Sequence, residues 1–333
     1  MQTNSIPDAT DLSLTSPPIV DRVISGFWRR LLAFIIDSIL LGILGYITGL
    51  FLFDFYAQLG GAGLILGFFI ALLYFGLFNS SLGKGQTLGK RIMRIEVVDS
   101  SGNSIPLSRS LLRFTILGIP YFLNGAPIPS HITVSPIGYG IGFLIFGFGG
   151  AIVYLYIFNR RTRQSLHDLI MGTLVVRTIP KGKLPHNSVW KTHLIVVGVW
   201  FLLVIGFSAF ASYFSQSGIF PEIRAVQQKI ESSGEFRFVT VMVGKSWRII
   251  NDKREETSFI HATVVLKENQ NDYDTAAKKV ASFILNVYPD AAKKDFLVVT
   301  VSYGYNIGIA SSWQSKNFPY TAQEYQQILS KPE

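Results

Sequence analysis

The sequence predicts an α-helical integral membrane bundle of about five transmembrane helices, followed by a soluble C-terminal α+β domain. Three observations predict this. Hydrophobic residues make up 49% of the 333 positions and charged residues only 15%, where a soluble domain carries roughly 25% charged. Several stretches carry no charge at all: 55–83, the 46 residues from Phe114 to Asn159, and 192–216. An apolar helix needs about 20 residues to cross a bilayer. After residue 216 charges return, in nearly balanced numbers.

Taken in order, residues 1–20 are rich in Ser, Thr and Pro and have neither a basic start nor an apolar run. They predict a disordered tail rather than a signal peptide. Span one is placed at 30–53, span two at 60–78, a further span at 137–158 and the last at 193–214. Segment 110–126 is short, contains Pro120 and Arg113, and fits either a crossing or an interfacial helix. The basic residues bear on this choice. All 16 Lys and Arg before span five fall in three places: before span one, between Lys84 and Arg113, and between Arg160 and Lys191. Cytoplasmic loops carry the Lys/Arg excess. The three segments share the cytoplasmic side if 110–126 crosses. That makes five spans, with the N-terminus inside and residues 215–333 extracytoplasmic. The net charge of +9 therefore reflects insertion and anionic headgroups on the cytoplasmic side, not nucleic acid. With no Cys, disulfides, thiol catalysis and Cys-ligated metals are excluded.

Residues 181–192 read as a basic linker, and 22–180 as the body of the membrane domain. In 215–333, Tyr273, Ala276, Ala277, Val280, Phe283, Ile284 and Val287 share one helix face. Another helix follows Pro221 and ends near Gly234. Thr321 with Glu324 reads as a capping box opening a last helix. Strand-like runs lie at 235–243, 246–250, 258–267, 295–303 and 307–313. About 115 residues suffice for such a domain to fold alone.

Three constellations carry possible chemistry. In Arg29-Arg30-Leu-Leu-Ala33-Phe-Ile-Ile-Asp37, positions 30, 33 and 37 share a helix face. Asp37 lies about 10 Å along the helix from Arg30. A carboxylate at that depth costs a few kcal/mol and faces a partner or water. It is either an ion or proton site or a structural polar contact. Gly83-Lys-Gly-Gln-Thr-Leu-Gly-Lys-Arg91 is Gly-rich beside lysine, but it lacks the glycine spacing and the following Ser/Thr of a phosphate loop. It reads as a turn and a short basic helix at headgroup level, leading into a strand at 92–98. In Arg160-Arg-Thr-Arg-Gln-Ser-Leu-His167-Asp168, one His-Asp pair is too little for a metal site. Ser165 and His167 point in different directions on a helix, so no catalysis is expected. The runs 92–98 and 174–177 are expected to pair, because a lone strand leaves its backbone unpaired. Gly45/Gly49, Gly63/Gly67 and Gly138/Gly142 permit close helix approach, or reflect how common glycine is in membrane helices.

Together these pieces resemble the RDD family of membrane proteins over roughly residues 22–180. The family's arginine maps to Arg30, with Arg29 as the alternative. Its two aspartates map to Asp37 and to Asp168 in Ser-Leu-His-Asp-Leu-Ile-Met-Gly-Thr. The intervening Gln-Thr-Leu-Gly-Lys-Arg and Leu-Leu-Arg113 also look like the family pattern. The resemblance implies an integral membrane protein connected with transport of a poorly defined ligand, one branch being linked to cation/proton exchange. The expected site is a polar cluster of Arg30, Asp37 and Asp168 near the cytoplasmic side, supported by Arg29, Arg91, Arg113 and His167, with no cofactor. Five spans leave little wall for a pore, so transport implies a homo-oligomer. The alternative is a non-catalytic anchor or assembly factor in the cell membrane whose outer domain binds a partner.

Overall fold

A computed structural model of the protein describes residues 22–179, 182–185, 188–250, 253–270, 272–321, 324 and 327. The tail expected at 1–20 lies outside them, as does most of the helix expected after Thr321. Its capping contact is described: Glu324 accepts from the Thr321 backbone N–H (2.7 Å) and hydroxyl (2.8 Å).

Four helices are long and apolar enough to span a membrane: α1 (Phe27–Phe51), α3 (Ala62–Asn79), α7 (Pro136–Phe158) and α9 (Lys191–Phe214). Between the first two lies the short α2 (Phe53–Leu59). On α1 the buried residues are Arg30, Ala33, Asp37, Leu41, Gly45 and Gly49. They recur every three or four positions, one inward stripe. Leu40, Ile43, Leu44 and Ile47 of the same helix are exposed, which suits lipid rather than water. Part of α7, Phe143–Phe148, is a π-helical turn. The last spanning helix, α9, packs against α7: Trp200 donates to the Phe146 carbonyl (3.1 Å), and Tyr154 meets His193 (3.1 Å).

Segment 110–126 becomes α5 (Leu107–Leu123), with Arg113 and Phe114 on its buried face. Its start lies beside the turn after α3, where Ser81 N–H bonds the Ile105 carbonyl (2.8 Å). Just beyond its far end, Ser130, opening α6 (Ser130–Thr133), bonds Glu231 of the C-terminal domain (2.8 Å).

The polar end of the bundle is built from α4 (Leu88–Ile92), α8 (Leu166–Met171) and a two-stranded sheet. Strand β1 (Ile95–Asp99) pairs antiparallel with β2 (Thr173–Arg177), from Ile95↔Arg177 to Asp99↔Thr173. The expected pairing of the two runs is therefore present. It begins at Ile95 because residues 92–94 close α4 in a turn. Ile24 bridges Val176 beside it, and Arg22 pairs with Glu96.

The C-terminal domain has helix α10 (Phe220–Ser232), strands β3 (Phe236–Ile250) and β4 (Lys253–Leu266), helix α11 (Tyr273–Val287), and strands β5 (Phe296–Asn306) and β6 (Ser311–Tyr320). The sheet order is β3-β4-β5-β6. Only β4–β5 is parallel, because α11 supplies the crossover that a parallel pair needs. The apolar face of α11, Ala277, Val280 and Ile284, packs with Ile260, Val264 and Val299 of the sheet. The runs expected at 235–243 and 246–250 are one strand, and the run at 307–313 is a turn opening β6.

That turn enters the membrane bundle. Any Cβ at Gly67 of α3 would collide with the Ile307 carbonyl oxygen, and one at Gly63 would lie 3.0 Å from the Asn306 oxygen. A Cβ at Gly45 of α1 would sit 2.7 Å from Ala310 Cβ, and one at Gly49 would strike the Tyr305 hydroxyl. The two small-residue pairs on α1 and α3 thus admit a β-hairpin tip rather than a neighbouring helix. Ile307 is fully buried there. Irregular backbone inside a membrane must satisfy its own polar groups. Here Ile307 N–H bonds the Ala310 carbonyl (3.0 Å), and Gly308 N–H bonds Asn306 Oδ1 (2.8 Å). Gly308 itself has φ +77, which favours glycine at this turn.

Candidate functional site

Asp168 sits in the first turn of α8, in a capping box with Ser165. Every hydrogen-bond partner of its carboxylate is a donor. Oδ1 accepts from Arg113 Nε (2.9 Å), Arg113 Nη2 (2.6 Å) and Thr173 Oγ1 (3.0 Å). Oδ2 accepts from Arg30 Nη2 (2.6 Å) and the Ser165 N–H (3.3 Å). Asp168 is completely buried, and the side chains of both arginines are 7% exposed. Burial alone raises a carboxyl pKa, but Arg113 and Arg30 outweigh it and hold Asp168 well below the usual range. Arg30 also donates to the Arg163 carbonyl and lies over the Tyr156 ring at 5.1 Å.

His167 is buried beside this triad, and burial and the neighbouring cations push its pKa down to about 3. It is neutral near pH 7. Arginine can only donate, so His167 Nε2, 3.2 Å from Arg113 Nη2, is the acceptor. The ring proton is therefore on Nδ1, which is buried without a partner among the described residues.

Asp37 differs from the expected arrangement. It is buried and makes no ion pair with Arg30 or Arg113; its partners are neutral. Oδ1 accepts from Tyr74 OH (2.7 Å) and the Gly89 N–H (2.8 Å), and Oδ2 from Thr87 Oγ1 (2.5 Å). Thr87 is also the N-cap of α4. A Cβ at Gly89 would collide with the Ala33 carbonyl, so only glycine lets α4 come this close to α1. The Gln-Thr-Leu-Gly-Lys-Arg motif thus clasps α1 through Asp37. Arg29 reaches only the Met93 carbonyl (3.4 Å), and Arg91 is exposed, so neither joins the cluster.

The residue that sequence reasoning missed is Lys90. It turns inward from α4, and its ammonium donates to Asn79 Oδ1. Arg30, Asp37, Lys90, Arg113 and His167 line one cavity of about 350 Å³. The one signal for Lys90 was its place beside Gly89, where the backbone approaches α1.

Neutral partners for Asp37 lead to a prediction. Asp37→Asn keeps an acceptor for Gly89 and Tyr74, and Thr87 can turn its hydroxyl to accept from the amide. The loss is expected to be about 1 kcal/mol, the difference between charged and neutral hydrogen bonds. Asp37→Ala orphans the Gly89 N–H and costs about 2–3 kcal/mol. Unfolding of the two variants in detergent checks this order.

Residues 24–172 match the model of the RDD family. This segment is similar to the RDD family. The arginine and second aspartate to which the sequence resemblance points, Arg30 and Asp168, form an ion pair, and the first, Asp37, is the clasp. The chain is 26% identical over 174 residues to Uncharacterized protein YxaI of Bacillus subtilis (strain 168), covering 46% of this chain and 96% of YxaI. It is 27% identical over 158 residues to Uncharacterized protein YckC of the same organism, covering 47% of this chain and 86% of YckC. No solved structure matches. The RDD match leaves out β2, α9 and the C-terminal domain, whose hairpin nevertheless fills the space between RDD helices. Among the described residues, no group of three or more His, Asp or Glu is placed to hold a metal ion.

Proposed function

We propose that the chain is a non-catalytic, five-crossing transport protein of the cell membrane. It takes a small ligand into the cavity at Arg30, Lys90 and Arg113, with the N-terminus cytoplasmic and the C-terminal domain outside. The observation that carries this reading is a pair of cavities in line. The polar cavity and a second, apolar one of about 100 Å³ share Phe34, Phe75, Phe114 and Leu117. Phe75 stands between Phe34 (centroids 6.3 Å) and Phe114 (4.9 Å). The apolar cavity ends at Gly308 and Ile309 of the hairpin tip. Such an interrupted path suits a protein that opens to one side at a time.

Five crossings are supported by α5, whose ends lie at the two poles of the bundle and whose Arg113 belongs to the basic pole. The positive-inside tendency then places that pole in the cytoplasm. The surface of α9, exposed along most of its length, faces lipid or a second copy of the chain.

The test is flux in vesicles containing the purified full chain. Protons, sodium, potassium, chloride and phosphate are each followed with a trapped indicator. Protein-dependent movement of at least one, slowed by Phe75→Trp, is the expected result. No movement above empty vesicles would favour a membrane anchor whose outer domain binds a partner. Trp247, exposed on the β3–β4 arm and stacked under Arg254 at 5.0 Å, is the feature that favours that second reading.

A further inference from the structure

The polar cavity is a cleft with two unlike ends. Away from the ion pair its walls are apolar: Phe34 of α1, Leu117 of α5, Val153 and Ile157 of α7. Phe34, Val153 and Ile157 are also exposed on the surface of the bundle. The cleft therefore opens sideways between α1 and α7, toward the hydrocarbon that surrounds the helices. Its other end carries Arg30, Lys90 and Arg113.

The hydrogen-bonding capacity left over at that end is mostly that of donors. Three of the roughly four acceptor sites of Asp37 are taken, by Tyr74, Gly89 and Thr87. Asp168 is completely buried behind its two arginines and does not line the cavity. Three cations thus face two carboxylates whose acceptor sites are nearly all taken. Lys90 has three N–H bonds, and among the described residues its side chain donates only to Asn79. Among the described residues, His167 Nδ1–H is likewise without a partner. Spare donors outnumber spare acceptors. A cation would meet three positive groups and one open acceptor site, on Asp37 Oδ2. An anion with several oxygens would find an under-used ammonium, and an alkyl chain attached to it would have an apolar way out.

We propose that this cleft binds a phosphate-bearing amphiphile, with its anionic head against Lys90 and its chain leaving between α1 and α7. The proposal rests on reading the cavity as a ligand site, but not on transport. The cavity volume falls in the range of about 300–1,000 Å³ typical of small-ligand sites. Basic pockets between membrane helices are suited to anionic headgroups. The phosphate could belong to a membrane lipid or to a free phosphate ester, and the test separates them.

The full chain is purified in detergent, and binding of three probes is measured by native mass spectrometry and thermal shift. The probes are dioleoylphosphatidylglycerol, dioleoylphosphatidylcholine and glycerol 1-phosphate. The expected result is one phosphatidylglycerol per chain, preferred at least tenfold over phosphatidylcholine, with glycerol 1-phosphate at least 100-fold weaker. Lys90→Met and, separately, Val153→Trp at the cleft mouth each lower phosphatidylglycerol binding at least tenfold. The ammonium of Lys90 donates to the neutral Asn79, so Lys90→Met breaks no ion pair of the kind whose loss is most costly and remains a readable variant. Val153→Trp keeps every charge and tests the mouth alone.

A pH profile separates a head-binding lysine from a structural one. Burial and Arg113 push the Lys90 ammonium down to about 7, against the pull of Asp37. The groups facing it are Arg30 and Asp37 from α1, Asn79 from α3, Arg113 from α5, and His167 and Asp168 from α8. A phosphodiester keeps its charge across this range. Affinity for phosphatidylglycerol therefore falls as pH rises above about 7 in the wild type and stays flat in Lys90→Met. Equal binding of the two lipids, or phosphatidylglycerol binding untouched by both variants, overturns the proposal. Glycerol 1-phosphate binding as tightly as the lipid overturns the amphiphile and leaves a free phosphate ester as the ligand. Because binding is read without flux, the site and the transport reading fail separately.

Discussion

Asp168→Asn is expected to destabilise the membrane domain by roughly 3–5 kcal/mol, the cost of breaking a buried ion pair. The reason lies in the donor set. Both carboxylate oxygens of Asp168 accept, and every partner donates: Arg30, Arg113, Thr173 and the Ser165 N–H. An asparagine amide must turn its own N–H groups toward one of these donors, whichever way it faces. Two guanidiniums would then lie buried without a counter-charge. Thermal or denaturant unfolding in detergent measures the loss, with Asp37→Asn as the mild control. Adding Arg113→Met to Asp168→Asn is expected to recover part of it, since one stranded cation is removed. A loss no larger than that of Asp37→Asn would mean that the arginines find other partners.

The second large effect belongs to Gly67→Val. A Cβ at this position meets the Ile307 carbonyl, a backbone atom that cannot rotate away. Overpacking of this kind costs about 1–3 kcal/mol, and it is relieved if the hairpin tip withdraws from between α1 and α3. The chain has no cysteine of its own, so Ile309→Cys reports on the tip alone. In the Gly67→Val background its labelling by a membrane-impermeant maleimide is expected to rise by about tenfold or more, the factor given by each 1.4 kcal/mol lost from the inserted state. Unchanged labelling would show that the tip is not held there.

Much of this arrangement is legible in the sequence, for particular reasons. The stripe Arg30, Ala33, Asp37 follows from helical spacing, and the structure extends it to Leu41, Gly45 and Gly49. The pairing of β1 with β2 follows from two β-branched runs that the charge pattern puts on one side. Asp37 was visible as a buried charge and Asp168 through the family resemblance, but their partners were not equally so. Arg113 declared itself as a charge inside an apolar segment. Tyr74, Thr87 and the Gly89 N–H, which hold Asp37, are neutral and carry no such signal. Lys90 read as one of several headgroup lysines, because a five-residue helix is too short for periodicity to give it a face. The hairpin was hidden most completely. Glycines that admit a helix and glycines that admit a strand turn look alike, and the turn lies within the run at 307–313, which reads as a strand.

One chain of contacts joins these parts. It runs from the basic cavity past Phe75 to the apolar cavity and the hairpin tip; on the transport reading proposed above, the C-terminal domain closes a path begun in the RDD-like segment. The most direct test is to lock that closure reversibly. Gly45→Cys with Ala310→Cys places two sulfurs on atoms that lie 2.7 Å apart at Cβ, a little nearer than the roughly 3.5–4.5 Å of a disulfide, which a small shift of the tip supplies. Vesicle flux of whichever ion the wild type moves is then compared in reduced and oxidised protein. The expected result is flux in the reduced protein, its loss on oxidation and its return on reduction. Flux that continues unchanged through the fully cross-linked protein would contradict a path closed by the hairpin.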